Sequence, residues 1–171
     1  DKTDLDLSLA LADNEMEGTQ ALPLSMWGNK KQAYTYPDSI KNKLAMIALK
    51  GTHFLADDKL LAGNIYYRMS NGRSFNSNAE NLEDATNISS GTYQDGYGGS
   101  LQLSLLKDLM GHRNNFTLGA SADWSHVTFN QDGYKADLVL NQTITDPLNI
   151  LQSDVRLKTR SNYYSVFATN N

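Results

Sequence analysis

The chain has 171 residues, 40% of them hydrophobic and 20% charged, a length and balance that fit one domain with a sizeable core. Lys and Arg number 15 against 19 Asp and Glu, leaving a net charge of −4 with the cations scattered, so there is no basic field for a phosphate backbone and nucleic acid is not an expected partner. The absence of cysteine removes disulfides, thiolate metal sites and a cysteine nucleophile, and no apolar run reaches the roughly 18 residues a membrane-crossing helix needs. A spanning β-strand escapes that test, because it needs only about 9–11 residues and only alternate ones must be apolar.

No segment keeps a 3.6-residue apolar period, whereas several alternate with period two, so the expected fold is all-β: an antiparallel up-and-down meander of about six long strands. In the first strand Leu5, Leu7, Leu9 and Leu11 oppose Asp4, Asp6, Ser8 and Ala10. A long join is expected over about 14–40, followed by a stretch at about 42–55 that has β-propensity without an assignable face. The polar run Ala56-Asp57-Asp58-Lys59 suits a tight hairpin turn. Beyond it Leu61, Gly63, Ile65, Tyr67 and Met69 face away from Asn64, Arg68 and Ser70. A second long join covers about 71–96, and then Leu101, Leu103 and Leu105 alternate with Ser100, Gln102 and Ser104. A short turn spans Asp108 to Asn114 and includes His112. The next strand sets Phe116, Leu118, Ala120, Ala122 and Trp124 against Asn115, Thr117, Gly119, Ser121 and Asp123. A third long join is expected over about 130–160, before an extended stretch at about 161–170 whose faces the sequence leaves open.

The expected organisation is one partial β-barrel region, 1–171, built of hairpins at approximately 3–55, 59–107 and 115–171. Short turns alternate with long Asn-, Ser- and Gly-rich joins, the order of periplasmic turns and extracellular loops in an outer-membrane barrel. The polar strand faces carry Ser, Thr, Asn, Gln, Gly and Asp rather than Lys and Glu, as a hydrated and crowded lumen would. Aromatics fall near the predicted strand ends, at Tyr66 and Tyr67, Trp124 and Phe129, and Tyr163 and Tyr164, where an interfacial girdle would place them. On this reading Leu5, Leu7, Leu9, Leu11, Leu101, Leu103, Leu105, Phe116 and Leu118 face lipid.

Several segments, taken in order, resemble one known family. Leu9-Ala10-Leu11-Ala12-Asp13-Asn14 with Gly18 and Leu22-Pro23 is similar to the strand-to-loop segment of TonB-dependent outer-membrane receptors. Tyr34-Thr35-Tyr36-Pro37-Asp38 with Asn42-Lys43-Leu44 resembles that family's entry into the following strand. Leu61-Ala62-Gly63-Asn64-Ile65-Tyr66-Tyr67-Arg68 with Ser74-Phe75-Asn76 looks like its ascending strand. Gly98 to Leu103, Phe116 to Ser121 and Asn162 to Thr169 resemble the strands after it. The resemblance implies an importer of a scarce ligand such as a siderophore, in the bacterial outer membrane. It also implies a 22-stranded barrel, a plug domain and a TonB-type energy coupler. Neither plug nor coupling segment is recognisable here, so the expectation is a fragment, or the ordered part, of a longer receptor. An isolated piece in water would have to bury its leucine stripe by folding over or by pairing with copies of itself.

Under the resemblance, Trp27, Tyr34, Tyr93 and Tyr97, expected in long loops, and Arg68 and Arg73 are the candidates for touching a ligand such as an anionic ferric complex. Asp13, Glu15 and Glu17 suit a solvated loop start, with an upper-lumen or cation-binding role as the alternative. Asp95-Gly96 and Asp132-Gly133 read as turns, and the Asn87, Asn115 and Asn141 sequons as chance matches in a bacterial protein. His53, His112 and His126 lack ligand spacing and no G-x-S-x-G elbow occurs, so no metal site, catalytic residue, cofactor or enzymatic activity is expected. The rival reading is a soluble, lipocalin-like binding module with the leucine stripes turned inward on an apolar ligand. A charge scan separates the two faces. Leu7→Arg or Leu103→Arg in the full-length receptor is expected to cost about 2–4 kcal/mol near the bilayer midplane, and Ser8→Arg or Ser104→Arg less, with denaturant titration as the check.

Overall fold

A computed structural model describes residues 2–18, 21–29, 31–79, 85–108, 114–139 and 144–170, the side chains of 139 and 144–147 excepted. Six strands form one antiparallel sheet in chain order: β1 (Thr3–Glu17), β2 (Ser39–Ala56), β3 (Lys59–Ala79), β4 (Ala85–Leu106), β5 (Asn115–Val139) and β6 (Ile144–Asn170). The expected all-β meander is what the chain forms, and the sheet is not closed: β1 and β6 are both edges. One short 3-10 turn, Leu24–Met26, interrupts the segment between β1 and β2.

The strands are longer than the alternation suggested. Both Asp95-Gly96 and Asp132-Gly133, read as turns, lie inside β4 and β5, and most of the expected joins over 71–96 and 130–160 are paired strand. Only 80–84 and 140–143 separate those strands, and these lie outside the described residues together with 109–113, which include His112, and the Asn141 sequon. The physical reason is register. β3 and β4 pair without interruption from Lys59↔Leu105 to Ala79↔Ala85, so each backbone group of the low-propensity Asn, Ser and Gly residues finds a cross-strand partner. The joins are therefore tall hairpins rather than coil. The short side holds as expected, with Asp57 and Asp58 turning between β2 and β3, and Lys107 N donating to Asn114 O at 3.1 Å between β4 and β5.

Register fixes the faces of every strand, including the two stretches left open by the sequence. Leu7 stands opposite Leu49, which stands opposite Ile65, then Gly99, Ala122 and Tyr164. Face A is the side of the sheet that carries this row, and face B is the other. A lone sheet has no second layer to pack against, and the consequence is visible: the buried hydrophobic residues among those described are Ala48, Ala85 and Ala136. Leu9, Leu11 and Val166 are 70%, 83% and 79% exposed.

On face B small residues and hydroxyls knit neighbouring strands. Ser104 and Thr117 share a hydrogen bond of 2.8 Å, as do Ser121 and Ser165, and Ser74 and Ser90 share one of 2.7 Å. Ser104 is buried in that arrangement, so Ser104→Arg would break a satisfied pair and is not a mild control; Ser8, exposed on the edge strand, remains one. Gly119 lies under the Phe167 ring, two of whose carbons would stand 2.8 Å from any added Cβ. Gly98 leaves the gap through which Tyr66 on β3 reaches past β4 to donate to Asp123 on β5 at 2.6 Å. A Cβ at Gly98 would collide with the Asp123 carboxylate and lie 2.8 Å from Ala122 O. Gly98→Ala is expected to destabilise the fold by about 1–3 kcal/mol in a denaturant titration. Gly91→Ala, where an added Cβ meets nothing within 4 Å, should stay within about 0.5 kcal/mol of the parent.

Candidate functional site: an apolar band bounded by aromatic and charged rows

Face A is divided along the strands into levels. Thr3, His53, Leu61, Leu103, Leu118 and Ala168 form one cross-sheet row, and Leu5, Gly51, Gly63, Leu101, Ala120 and Val166 the next. Above them come the Leu7 to Tyr164 row and then Leu9, Ile47, Tyr67, Tyr97, Trp124 and Asn162. Not one Asp, Glu, Lys or Arg occurs in these rows. On β3, β4 and β5 the face A positions within 61–69, 97–105 and 116–124 carry no charge over about 30 Å of strand at roughly 3.3 Å per residue.

The upper limit of the band is chemical. Tyr97 stacks on Trp124 with ring centroids 5.4 Å apart, and Trp124 meets Tyr164 edge-on at 5.8 Å while its Nε1 donates to the Tyr164 hydroxyl at 3.1 Å. Directly above, on the same face, charges begin. Lys43 bonds Asp13 at 2.9 Å, Lys41 bonds Glu15 at 2.6 Å, Arg156 pairs with Asp132, and His126 Nδ1 lies 3.7 Å from Asp95. Exposed pairs of this kind are screened by solvent and contribute little, so their value lies in where they stand rather than in strength. The boundary also drifts: charge begins one row above Leu11 on β1 but already in the Leu11 row on β4 and β5, where Asp95 opposes His126. An oblique boundary is what strands tilted to a slab's normal produce.

Face B is wet at the same level. Asp6 stands opposite Lys50, and Asp4, Asp6, Lys50, Asn64, Ser100 and Gln102 line a cleft of about 420 Å³. Tyr163 and Phe167 show that this face is mixed, but its charges lie at heights where face A has none.

The sequence-predicted residues fall as follows. All nine expected lipid-facing residues share face A. Tyr93 and Tyr97, expected in a loop, stand in β4 on face A, at and just above the upper edge of the band, because their segment is paired strand. Arg73 is on face A in the charged rows, whereas Arg68 is on face B, so the two arginines do not converge. Trp27 caps the 3-10 turn and is exposed, while Tyr34 is partly buried nearby in the chain. Asp13, Glu15 and Glu17 are strand residues on the leucine face, not a loop start and not on the polar side. Of the aromatic pairs, Tyr67, Trp124 and Tyr164 are on face A and Tyr66, Phe129 and Tyr163 on face B, in mid-strand rather than at strand ends. His53 pairs with Thr3 at 2.7 Å, far from His126.

Two features escaped the sequence reading, the charged rows and the Tyr66–Asp123 bridge. The first had a signal: Asp13 and Glu15 continue the odd-numbered parity of Leu5 to Leu11, so the change of chemistry along one face was written in the chain. The second depends on which strands are neighbours and had none. Among the described residues no group of three His, Asp or Glu could hold a metal, and no helix is long and apolar enough to cross a membrane. No family model matches the chain, and no curated protein matches it in sequence.

Proposed function

We propose that the chain is part of the membrane-spanning β-barrel of a TonB-dependent outer-membrane receptor, with face A against lipid and face B toward water and a plug. The observation that carries this reading is the uncharged band on face A, about 30 Å long by strand rise, closed above by stacked aromatics and then by ion pairs. A bilayer asks for that sequence of chemistries: hydrocarbon excludes charge, the interface accepts Tyr and Trp, and the headgroup level accepts Lys and Asp.

Under this reading the tall hairpins of β3–β4 and β5–β6 stand outside the cell and the Asp57-Asp58 turn in the periplasm. The open edges of β1 and β6 would pair with further strands of the wall, since no backbone N–H can remain unpaired in hydrocarbon. The work of the receptor is uptake of a scarce ligand such as a siderophore, driven by an energy coupler through the plug. Arg68, on face B, keeps its candidacy for an anionic ligand, and Trp27 and Tyr34 keep theirs as loop aromatics. Tyr93, Tyr97 and Arg73 are better assigned to the outer wall, because they share the leucine face.

Fluorescence tests the reading. The tryptophans of this chain are Trp27 and Trp124, so the signal lost in a Trp124→Phe variant of the receptor gives the Trp124 contribution by difference. With the receptor in vesicles, lipids brominated near the headgroup should quench Trp124 strongly and those brominated at the chain terminus weakly. A Trp124 signal indifferent to brominated lipid and quenched by aqueous iodide would refute the assignment.

A further inference from the structure

Beyond Ser39↔Phe75 strand β2 no longer runs beside β3, which continues to Ala79, so the β2-side edge of β3 needs another source of acceptors. Asp38 supplies one. Its Oδ1 accepts the Ser77 N–H at 3.0 Å, while its backbone carbonyl accepts the Gly18 N–H at 3.0 Å just past the last β1–β2 pair, Glu17↔Ser39. One residue thus joins the upper ends of three strands. Beside it the Ser77 Oγ donates to Pro37 O at 2.8 Å. Thr35, Asp38 and Ser77 are buried, and so is Asn87, which stands opposite Ser77 on face A. Ala85 and Ala136, one row further up, are buried too. The face whose leucines are bare lower down is therefore closed at this level, and Pro37 is part of the cover.

The segment that Asp38 closes carries order of its own. Met26 N–H donates to Pro23 O at 2.9 Å and Trp27 N–H to Leu24 O at 3.2 Å, and Gln32 Nε2 reaches back to Met26 O at 3.2 Å. A segment bonded within itself and pinned where it enters β2 keeps one place relative to the strands that pin it. We propose that Asp38 is a latch and a positioning residue: it fixes residues 21–29 and 31–37 to the β3–β4 hairpin, so that Trp27 and Tyr34 are presented at a set place beside that hairpin. A carboxylate suits the task, because a charge-assisted hydrogen bond is roughly twice as strong as a neutral one and a buried Ser77 N–H deprived of its acceptor would keep its full desolvation cost. The latch stands on geometry alone, whereas the purpose of holding Trp27 and Tyr34, contact with a ligand, rests on the receptor reading.

The test combines amide hydrogen exchange with spin-label distances in the full-length protein, any cysteine elsewhere having been replaced. In the parent the Ser77 amide should exchange slowly. Labels at Ser25→Cys, an exposed position of the 3-10 turn, and Gly91→Cys, where an added Cβ meets nothing within 4 Å, should give one narrow distance distribution. Asp38→Ala should speed Ser77 exchange about 10- to 100-fold, the factor for one hydrogen bond to a charged group, and broaden the distribution. Asp38→Asn, which keeps a side-chain oxygen as acceptor, should leave the distribution narrow. Asp38→Ala matching the parent in both readouts, or Asp38→Asn as loose as Asp38→Ala, overturns the proposal. A fast Ser77 amide or a broad distribution in the parent overturns it too, whether or not the variants fold. The readings fail separately: a Trp124 blind to brominated lipid removes the receptor and its ligand but leaves the latch, whereas a loose segment alongside a Trp124 quenched by lipid removes the latch alone.

Discussion

Every structural feature of this chain follows from one constraint, that backbone groups are satisfied by lateral strand pairing while side chains must alternate between two unlike surroundings. Pairing consumes the N–H and C=O groups of β2 to β5 on both sides, through a register that is broken once near Phe54 and twice around Tyr134. Once the ladder is fixed, each residue has only a face and a height. Face decides whether it meets charge-tolerant or charge-free surroundings, and height decides which row it joins.

That constraint explains why the molecule has so little interior of its own. A soluble sheet would cover its leucine face with a helix or another sheet, gaining about 1.5–3 kcal/mol for each large apolar side chain removed from water. Here the described chain has no such layer, and Leu5 to Leu11, Ile65, Leu101, Leu118 and Val166 stand bare. The sheet's internal side-chain contacts are, on the polar side, hydroxyl pairs, the Phe167 ring over Gly119 and the Tyr66–Asp123 bridge across Gly98, and on the leucine side the Tyr97–Trp124–Tyr164 rings and the ion pairs above them. The apolar side is finished by whatever surrounds it. On the proposed reading that is lipid, which needs no specific shape of the kind a protein partner would require.

Much of this was legible in the chain, because period-two alternation survives any uncertainty about strand ends. The leucine, phenylalanine and tryptophan stripes gave the faces of β1, β3, β4 and β5, and the Asp57-Asp58 turn gave one hairpin. What misled was composition. Asn, Ser and Gly at 71–78 and 87–96 have poor strand propensity, yet each stands opposite a cross-strand partner, from Asn78↔Thr86 near the tip to Gly72↔Thr92 further down. The same error moved Tyr93 and Tyr97 from a wall to a loop. The faces of β2 and β6 were hidden for another reason: β2 mixes Met46, Ala48 and Leu44 with Lys50 on face B, and β6 places Phe167 and Tyr163 there, so neither strand alternates cleanly without its neighbours as reference.

The chain contains no cysteine, so once any cysteine elsewhere in the full-length protein is replaced the central claim is directly measurable. Single cysteines carrying a spin label, placed in turn at 116 to 118 and 120 to 124 in the full-length protein reconstituted in vesicles, report collision with oxygen and with a water-soluble nickel chelate. The account predicts a period-two profile, with oxygen access highest at 116, 118, 120 and 122 and chelate access highest at 117, 121 and 123. A profile with the phases exchanged, or with chelate reaching both sets equally, would contradict it.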